Sequence, residues 1–216
     1  MKRVIKQVAV LGSGVMGSRI ACHFAGIGVQ VLLLDMVPKE ATESTKPAER
    51  NKLVNDALQA AVKSNPSPVY HKDVLKRITT GNFDDNMKEI AKADWIIEVV
   101  VERLDIKKII YEKVEQFRKL GTLITSNTSG IPIHMLSEGR SADFKQHFCG
   151  THFFNPPRYL RLLEIIPTPD TDPAVTDFLM HYGDLHLGKT TVLCKDTPAF
   201  IANRIGVFSI MSIFHI

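Results

Sequence analysis

VAVLGSGVMGSRIACHFAGIGVQVLLLD, residues 8–35, decides how this chain is read. An apolar run, Val8 to Leu11, feeds a glycine turn, Gly12-x-Gly14-x-x-Gly17, and the turn opens a segment whose Met16, Ile20, Phe24 and Ala25 recur at helical spacing. That order is strand, turn, helix. Gly12 permits a tight turn, Gly14 lets backbone N–H groups approach a pyrophosphate, and Gly17 allows the helix to pack closely. The helix N-terminus, with Val15 and Met16 in its first turn, faces the anion. A second apolar run, Val31 to Leu34, ends in Asp35, an acid placed to accept from a ribose diol and to repel a 2′-phosphate. The expected cofactor is therefore NAD rather than NADP.

Working outward, the rest of the chain continues the alternation. Apolar runs at Trp95 to Val101, Thr122 to Ser126, His147 to Phe154, Leu160 to Ile166 and Thr190 to Cys194 read as strands. Leu104 to Phe117 reads as a helix with Ile106, Ile109, Ile110 and Val114 on one side, and Ile131-Pro132 starts another. The fold class expected is α/β, a doubly wound sheet of the Rossmann type. Residues 46–77 interrupt it. Val54, Ala57, Leu58, Ala61 and Val62 form a helical stripe ended by Pro66 and Pro68, and a shorter helical stretch at Lys72 to Arg77 suggests a hairpin insertion. Seven basic residues against three acidic ones make this insertion as positive, at +4, as the whole chain. A solvated face explains most of those lysines; contact with the phosphates of a large substrate is the sharper alternative.

Composition sets outer bounds. With 44% hydrophobic and 23% charged residues over 216 positions, the chain resembles an ordinary globular protein. Its modest charge and the lack of a basic run interleaved with aromatics argue against nucleic acid as a partner. Cys22, Cys149 and Cys194 are widely spaced and odd in number, so no disulfide framework or zinc site is indicated and a reducing cytoplasm fits. Lys2 and Arg3 before an apolar stretch only superficially resemble a signal peptide, since Lys6 and Gln7 interrupt it. No apolar run approaches the ~18 residues of a membrane span.

Ligands in such sheets sit beyond the carboxyl ends of the strands. The polar residues there form a consistent set: Glu102 with Lys107, then Ser126-Asn127-Thr128-Ser129-Gly130, then His152 and Asn155. Glu164 stands inside an apolar run, where a carboxylate is costly without a partner. His152 and Glu164 are twelve residues apart with a turn between, so two strands folding back would bring imidazole to carboxylate, the arrangement of a general base near neutrality. Individually each has a plainer role: a structural histidine, a helix cap at Ser129, a helix-end pair at Glu102 and Lys107.

GSGVMG with Asp35, VVVERLDIKK, SNTSG, GTHFFNP, LLEIIPT and KDTPAFIANR occur in order over residues 4–206, and through them the chain resembles the 3-hydroxyacyl-CoA dehydrogenases of fatty-acid β-oxidation. HFFNPPRYLRLLEIIPT with WIIEVVVE is most similar to the long multifunctional bacterial members, in which an enoyl-CoA hydratase region follows. The resemblance implies His152 as the base for the 3-hydroxyl proton and Glu164 as its orienting acid. It implies that Ser129 and Asn203 hold the hydroxyl and the developing carbonyl, and that Glu102, Lys107 and Asn127 lie on the cofactor side. Asn155 would support the cleft, and Lys63 would meet a phosphate of the acyl-CoA substrate. Arg103 and Arg158 stand where many relatives have uncharged residues.

Two domains are expected: 1–195 for the cofactor, and 196–216 as the start of a truncated helical domain that in the family completes the substrate site and a homodimer. Ile201, Ile205, Val207, Phe208, Ile210, Met211, Ile213 and Phe214 make a helix that is normally buried on nearly all sides, which predicts self-association. Two rival functions remain at this level. One is a fragment that binds NAD without turnover. The other is a Ser129-His152-Glu164 hydrolase, which lacks the G-x-S-x-G elbow and has no use for the glycine turn.

Overall fold

The structure, a computed structural model, describes residues 3–214; the outermost residues of both expected domains, 1–2 and 215–216, lie outside the described residues. Eight strands form one sheet: β1 (Gln7–Leu11), β2 (Gln30–Asp35), β3 (Ile78–Asn82), β4 (Trp95–Glu98), β5 (Leu123–Ser126), β6 (Phe148–Phe153), β7 (Leu162–Pro167) and β8 (Thr190–Leu193). Their order is β3-β2-β1-β4-β5-β6-β7-β8. The first six are parallel, β7 runs antiparallel to β6, and β8 is parallel to β7. The order turns back between β1 and β4, the switch point at which a doubly wound sheet opens a crevice.

Alternation along the central strands explains the two layers. Val8, Val10, Val31, Leu33, Trp95 and Ile97 enter one apolar core, while Ala9, Leu11, Leu32, Leu34 and Ile96 enter the other. Strands buried on both faces read as continuous apolar runs, so helices must cover both sides. On the first face lie α1 (Val15–Gly26), α3 (Lys52–Lys63) and α7 (Pro173–Leu185). On the second lie α4 (Leu104–Phe117), α5 (Ile133–Ser137) and α6 (Ala142–Gln146). A short helix, α2 (Pro47–Arg50), leads into α3, and α8 (Ala202–Ile213) closes the described chain. No helix among the described residues is long and apolar enough to cross a membrane.

Several expectations change. The helical insertion is present as expected, and its shorter arm, Lys72–Arg77, is a 3-10 rather than an α-helical stretch, which hands the chain to β3. β4 stops at Glu98 rather than Val101, because residues 99 and 100 bend over the glycine turn; a Cβ on Gly12 would meet the Val99 carbonyl oxygen at 2.7 Å. Ile109 is exposed, leaving Ile110, Tyr111 and Val114 as the buried stripe of α4. The apolar helix at the end is the largest departure: no residue of α8 is buried, and its start is held to the domain by the Ile201 and Ala202 N–H groups.

Candidate active site

The glycine turn is built as its spacing requires. Gly12 adopts φ +107°, a left-handed conformation that penalises a side chain. A Cβ on Gly17 would lie 1.8 Å from the Gly12 carbonyl oxygen, so helix α1 can start here only on glycine. Gly14 has open space around it, as a backbone meant to approach a ligand should. Asp35, at the tip of β2, accepts through Oδ2 from the Ser13 backbone N–H at 2.6 Å and from the Ser13 hydroxyl. Among the described residues its Oδ1 accepts only from the neighbouring Met36 N–H, at 2.7 Å. Between this acid and the glycines opens a cavity of about 460 Å³, walled by Phe83, Val99, Val100 and Ile106. An apolar pocket with one carboxylate at its mouth fits an adenine ring and its ribose. A second cavity, of about 220 Å³, lies between Gly14, Val15 and Arg19 of the turn and helix and Ala57, Ala60 and Ala61 of α3. Met16 turns into the core instead.

On the far side of the switch point, β6 and β7 pair in a register that sets His152 directly opposite Glu164. Both side chains are almost fully buried, and His152 Nδ1 lies 2.7 Å from Glu164 Oε2. A carboxylate only accepts, so Nδ1 carries the hydrogen, which in the neutral ring leaves the lone pair on Nε2. That Nε2 lies 3.2 Å from the Ser129 hydroxyl. Glu164 Oε1 is engaged as well, accepting from the Ile201 and Ala202 N–H groups at 3.1 and 2.8 Å. The acid that orients the imidazole therefore also anchors the start of α8. Phe154 and Phe200 flank the ring, at 4.4 and 5.7 Å between centroids.

The loop carrying Ser129 is clamped from below. Glu102 Oε1 accepts from the N–H groups of Ser129 and Gly130 at 2.9 and 3.0 Å and from the Thr128 hydroxyl. Burial raises the pKa of the Glu102 carboxyl, but these donors and the Lys107 charge outweigh it and hold it below the usual glutamate value. Lys107 is fully buried, its ammonium 2.7 Å from Glu98 and 3.3 Å from Glu102. Asn127 points the other way, its Oδ1 accepting from the Phe153 N–H at 2.9 Å, and so ties the loop to β6. Asn155 accepts from Arg19 at 2.5 Å.

Not every expected residue is brought in. Lys63 stands exposed at the end of α3, and the cavity beside that helix is lined by alanines and Arg19 instead. Asn203 lies on the first turn of α8 without a hydrogen bond to Ser129 or His152 among the described residues. The two unusual arginines are occupied: Arg103 pairs with Asp105, and Arg158 lies 3.4 Å over the Tyr70 ring while donating to the Ser67 carbonyl. Glu98 and Arg19 were not read as site residues. Glu98 carries the same signal as Glu164, an acid inside an apolar run.

Ser129, His152 and Glu164 also have the spacing of a hydrolase triad. A hydrolase needs free N–H groups for its oxyanion. The Ser129 and Gly130 amides, the nearest to the hydroxyl along the chain, are spent on Glu102.

Residues 7–197 match the family model described as 3-hydroxyacyl-CoA dehydrogenase, NAD binding domain. The chain belongs to this family. Similar to it is a probable 3-hydroxyacyl-CoA dehydrogenase of Bacillus subtilis, 49% identical over 219 residues, a match covering 98% of this chain and 28% of that protein. Another probable 3-hydroxyacyl-CoA dehydrogenase, from Deinococcus radiodurans, is 45% identical, with 96% and 58% covered. A putative fatty acid oxidation complex trifunctional enzyme of Rickettsia felis is 41% identical, again over only 28% of its length. The chain thus spans between about a quarter and three fifths of these relatives. Among solved structures, (S)-3-hydroxybutyryl-CoA dehydrogenase from Ralstonia eutropha superposes with a TM-score of 0.74 at 27% identity, covering 94% of this chain and 68% of that one. The Rossmann-type fold and the NAD-binding class are those of the family.

Proposed function

We propose that this chain supplies the cofactor domain and the proton acceptor for NAD-dependent oxidation of a 3-hydroxyacyl-CoA to the 3-ketoacyl-CoA, a step of fatty-acid β-oxidation. The observation that carries the reading is His152, held by Glu164 on one nitrogen and touching the Ser129 hydroxyl with the other, in a sheet that also carries a dinucleotide turn. The cofactor, when bound, accepts the hydride from C3. Ser129 and His152 Nε2 converge on one point, where a substrate hydroxyl can donate; as C3 loses hydride, that proton passes to Nε2. Glu164 stabilises the imidazolium that results, and its buried position keeps the pair aligned without reorganisation. Phe154 and Phe200 beside the ring exclude water from the acceptor.

Asp35 selects the cofactor. Its carboxylate at the mouth of the 460 Å³ cavity supports NAD and opposes the 2′-phosphate of NADP. The same reading takes residues 1–195 as the cofactor domain and the segment from 196 on as the opening of a helical one, whose exposed apolar side supports pairing between copies. Asn203 would meet the substrate from that helix. Three buried free cysteines fit a reducing cytoplasm.

The test is NADH formation from a 3-hydroxyacyl-CoA, with the free 3-hydroxy acid as comparison. Turnover of the thioester with NAD, and little with NADP, is expected. Esterase activity without NADH formation would favour the hydrolase, and NAD binding with no turnover the inactive fragment.

A further inference from the structure

Beneath the Ser126–Gly130 loop lies a charge cluster that the proton-transfer reading does not use. Glu98, at the end of β4, is wholly buried and accepts four hydrogen bonds: from Lys107 at 2.7 Å, Tyr111 at 2.8 Å, Ser126 at 2.6 Å and the Val100 N–H at 2.7 Å. Four converging donors are the environment of an ionised carboxylate. Burial, and then the Glu98 charge, push the Tyr111 hydroxyl well above its ordinary pKa, so it stays neutral. Lys107 is shared with Glu102, and neither acid has another cationic partner among the described residues. Arg103 is paired with Asp105 and Lys108 with Glu138, so both neighbouring cations are already neutralised.

Two carboxylates and one ammonium leave a single negative charge. Its place follows from exposure: Glu98 and Lys107 are buried against each other, whereas the Glu102 side chain is 44% exposed. Through the Ser129 N–H and hydroxyl, Glu102 is linked to His152. The oxidised nicotinamide ring carries a positive charge and the reduced ring none, so an uncompensated negative charge at this edge favours the oxidised form.

We propose that the Glu98–Lys107–Glu102 cluster biases the site toward NAD⁺ over NADH, with Glu98 as the positioning residue that leaves Glu102 its charge by occupying Lys107. The inference rests on the NAD reading above. Glu98→Gln changes the cluster from −1 to neutral while leaving the exposed Glu102 carboxylate in place.

The experiment is a titration of this chain and its Glu98→Gln and Glu102→Gln variants with NAD⁺ and NADH separately. In Glu98→Gln the ratio Kd(NAD⁺)/Kd(NADH) is expected to rise about fivefold, the scale of one charge acting over several ångströms through a half-solvated site. Glu102→Gln should move it the same way. Loosened packing would weaken both ligands alike and leave the ratio where it was. Ratios within about twofold of the unsubstituted chain in the folded variants, with both ligands still bound, would overturn the proposal. If Glu98→Gln fails to fold, Glu102→Gln decides by the same criterion. If the unsubstituted chain binds neither ligand, the cofactor reading itself falls, and this one with it.

Discussion

Helices α1 and α8 are each twelve residues long and rich in apolar side chains, but α1 buries eight residues between Gly17 and Ala25 and α8 buries none. Sequence pattern does not separate them; neighbours do. α1 lies between the sheet and the insertion, so Ile20, Phe24 and Ala25 have a layer on each side. α8 is tied to the domain at its start, through buried Phe200 and the Glu164 carboxylate. The turn before it is strained, with Ala199 and Phe200 at φ 62° and 49°, conformations that cost non-glycine residues of order 1 kcal/mol each. Burial of Phe200 beside His152 offsets that strain. The alignment of His152 and the placing of α8 thus share one carboxylate.

The largest expected effect is in hydrogen exchange. In chains diluted until copies no longer pair, amides of β1, β4 and α1 should open only with global unfolding, and those of the second half of α8 by local fraying, a difference of about 10³-fold or more in protection. Equal protection of α8 would break the comparison by showing that another surface covers it. A smaller effect is expected from truncating side chains. Ile97→Ala, wholly buried between strand neighbours, should cost about 2–5 kcal/mol in urea unfolding, whereas Phe208→Ala in the same unpaired chain should stay within about 0.5 kcal/mol. A large loss at Phe208 would mean that α8 has a partner in solution.

The same contrast explains what could be read from residues alone. β1, α1 and β2 follow from one local pattern, and helix Leu104–Phe117 has the bounds its periodicity marks. The facing of His152 and Glu164 was legible because a buried acid needs a partner and the intervening turn allows one. β3, Ile78–Asn82, escaped because an edge strand of sequence ITTGN has little apolar signal. α7 was passed over although Asp172 caps it, accepting from the Ala174 N–H, with Pro173 in its first turn. Glu98 was visible as an interruption, but its three side-chain partners come from two other elements. Where α8 packs and where Lys63 points depend on long-range contacts that no local pattern encodes.

The central claim is that His152 takes the substrate proton beside a separately formed cofactor site. It is tested most directly by His152→Ala, assayed for NADH formation from a 3-hydroxyacyl-CoA and titrated with NAD in parallel. The account predicts a fall in kcat of about 10²-fold or more with NAD affinity nearly unchanged, since no described contact joins His152 to the glycine turn or Asp35. Near-normal turnover in His152→Ala would contradict it.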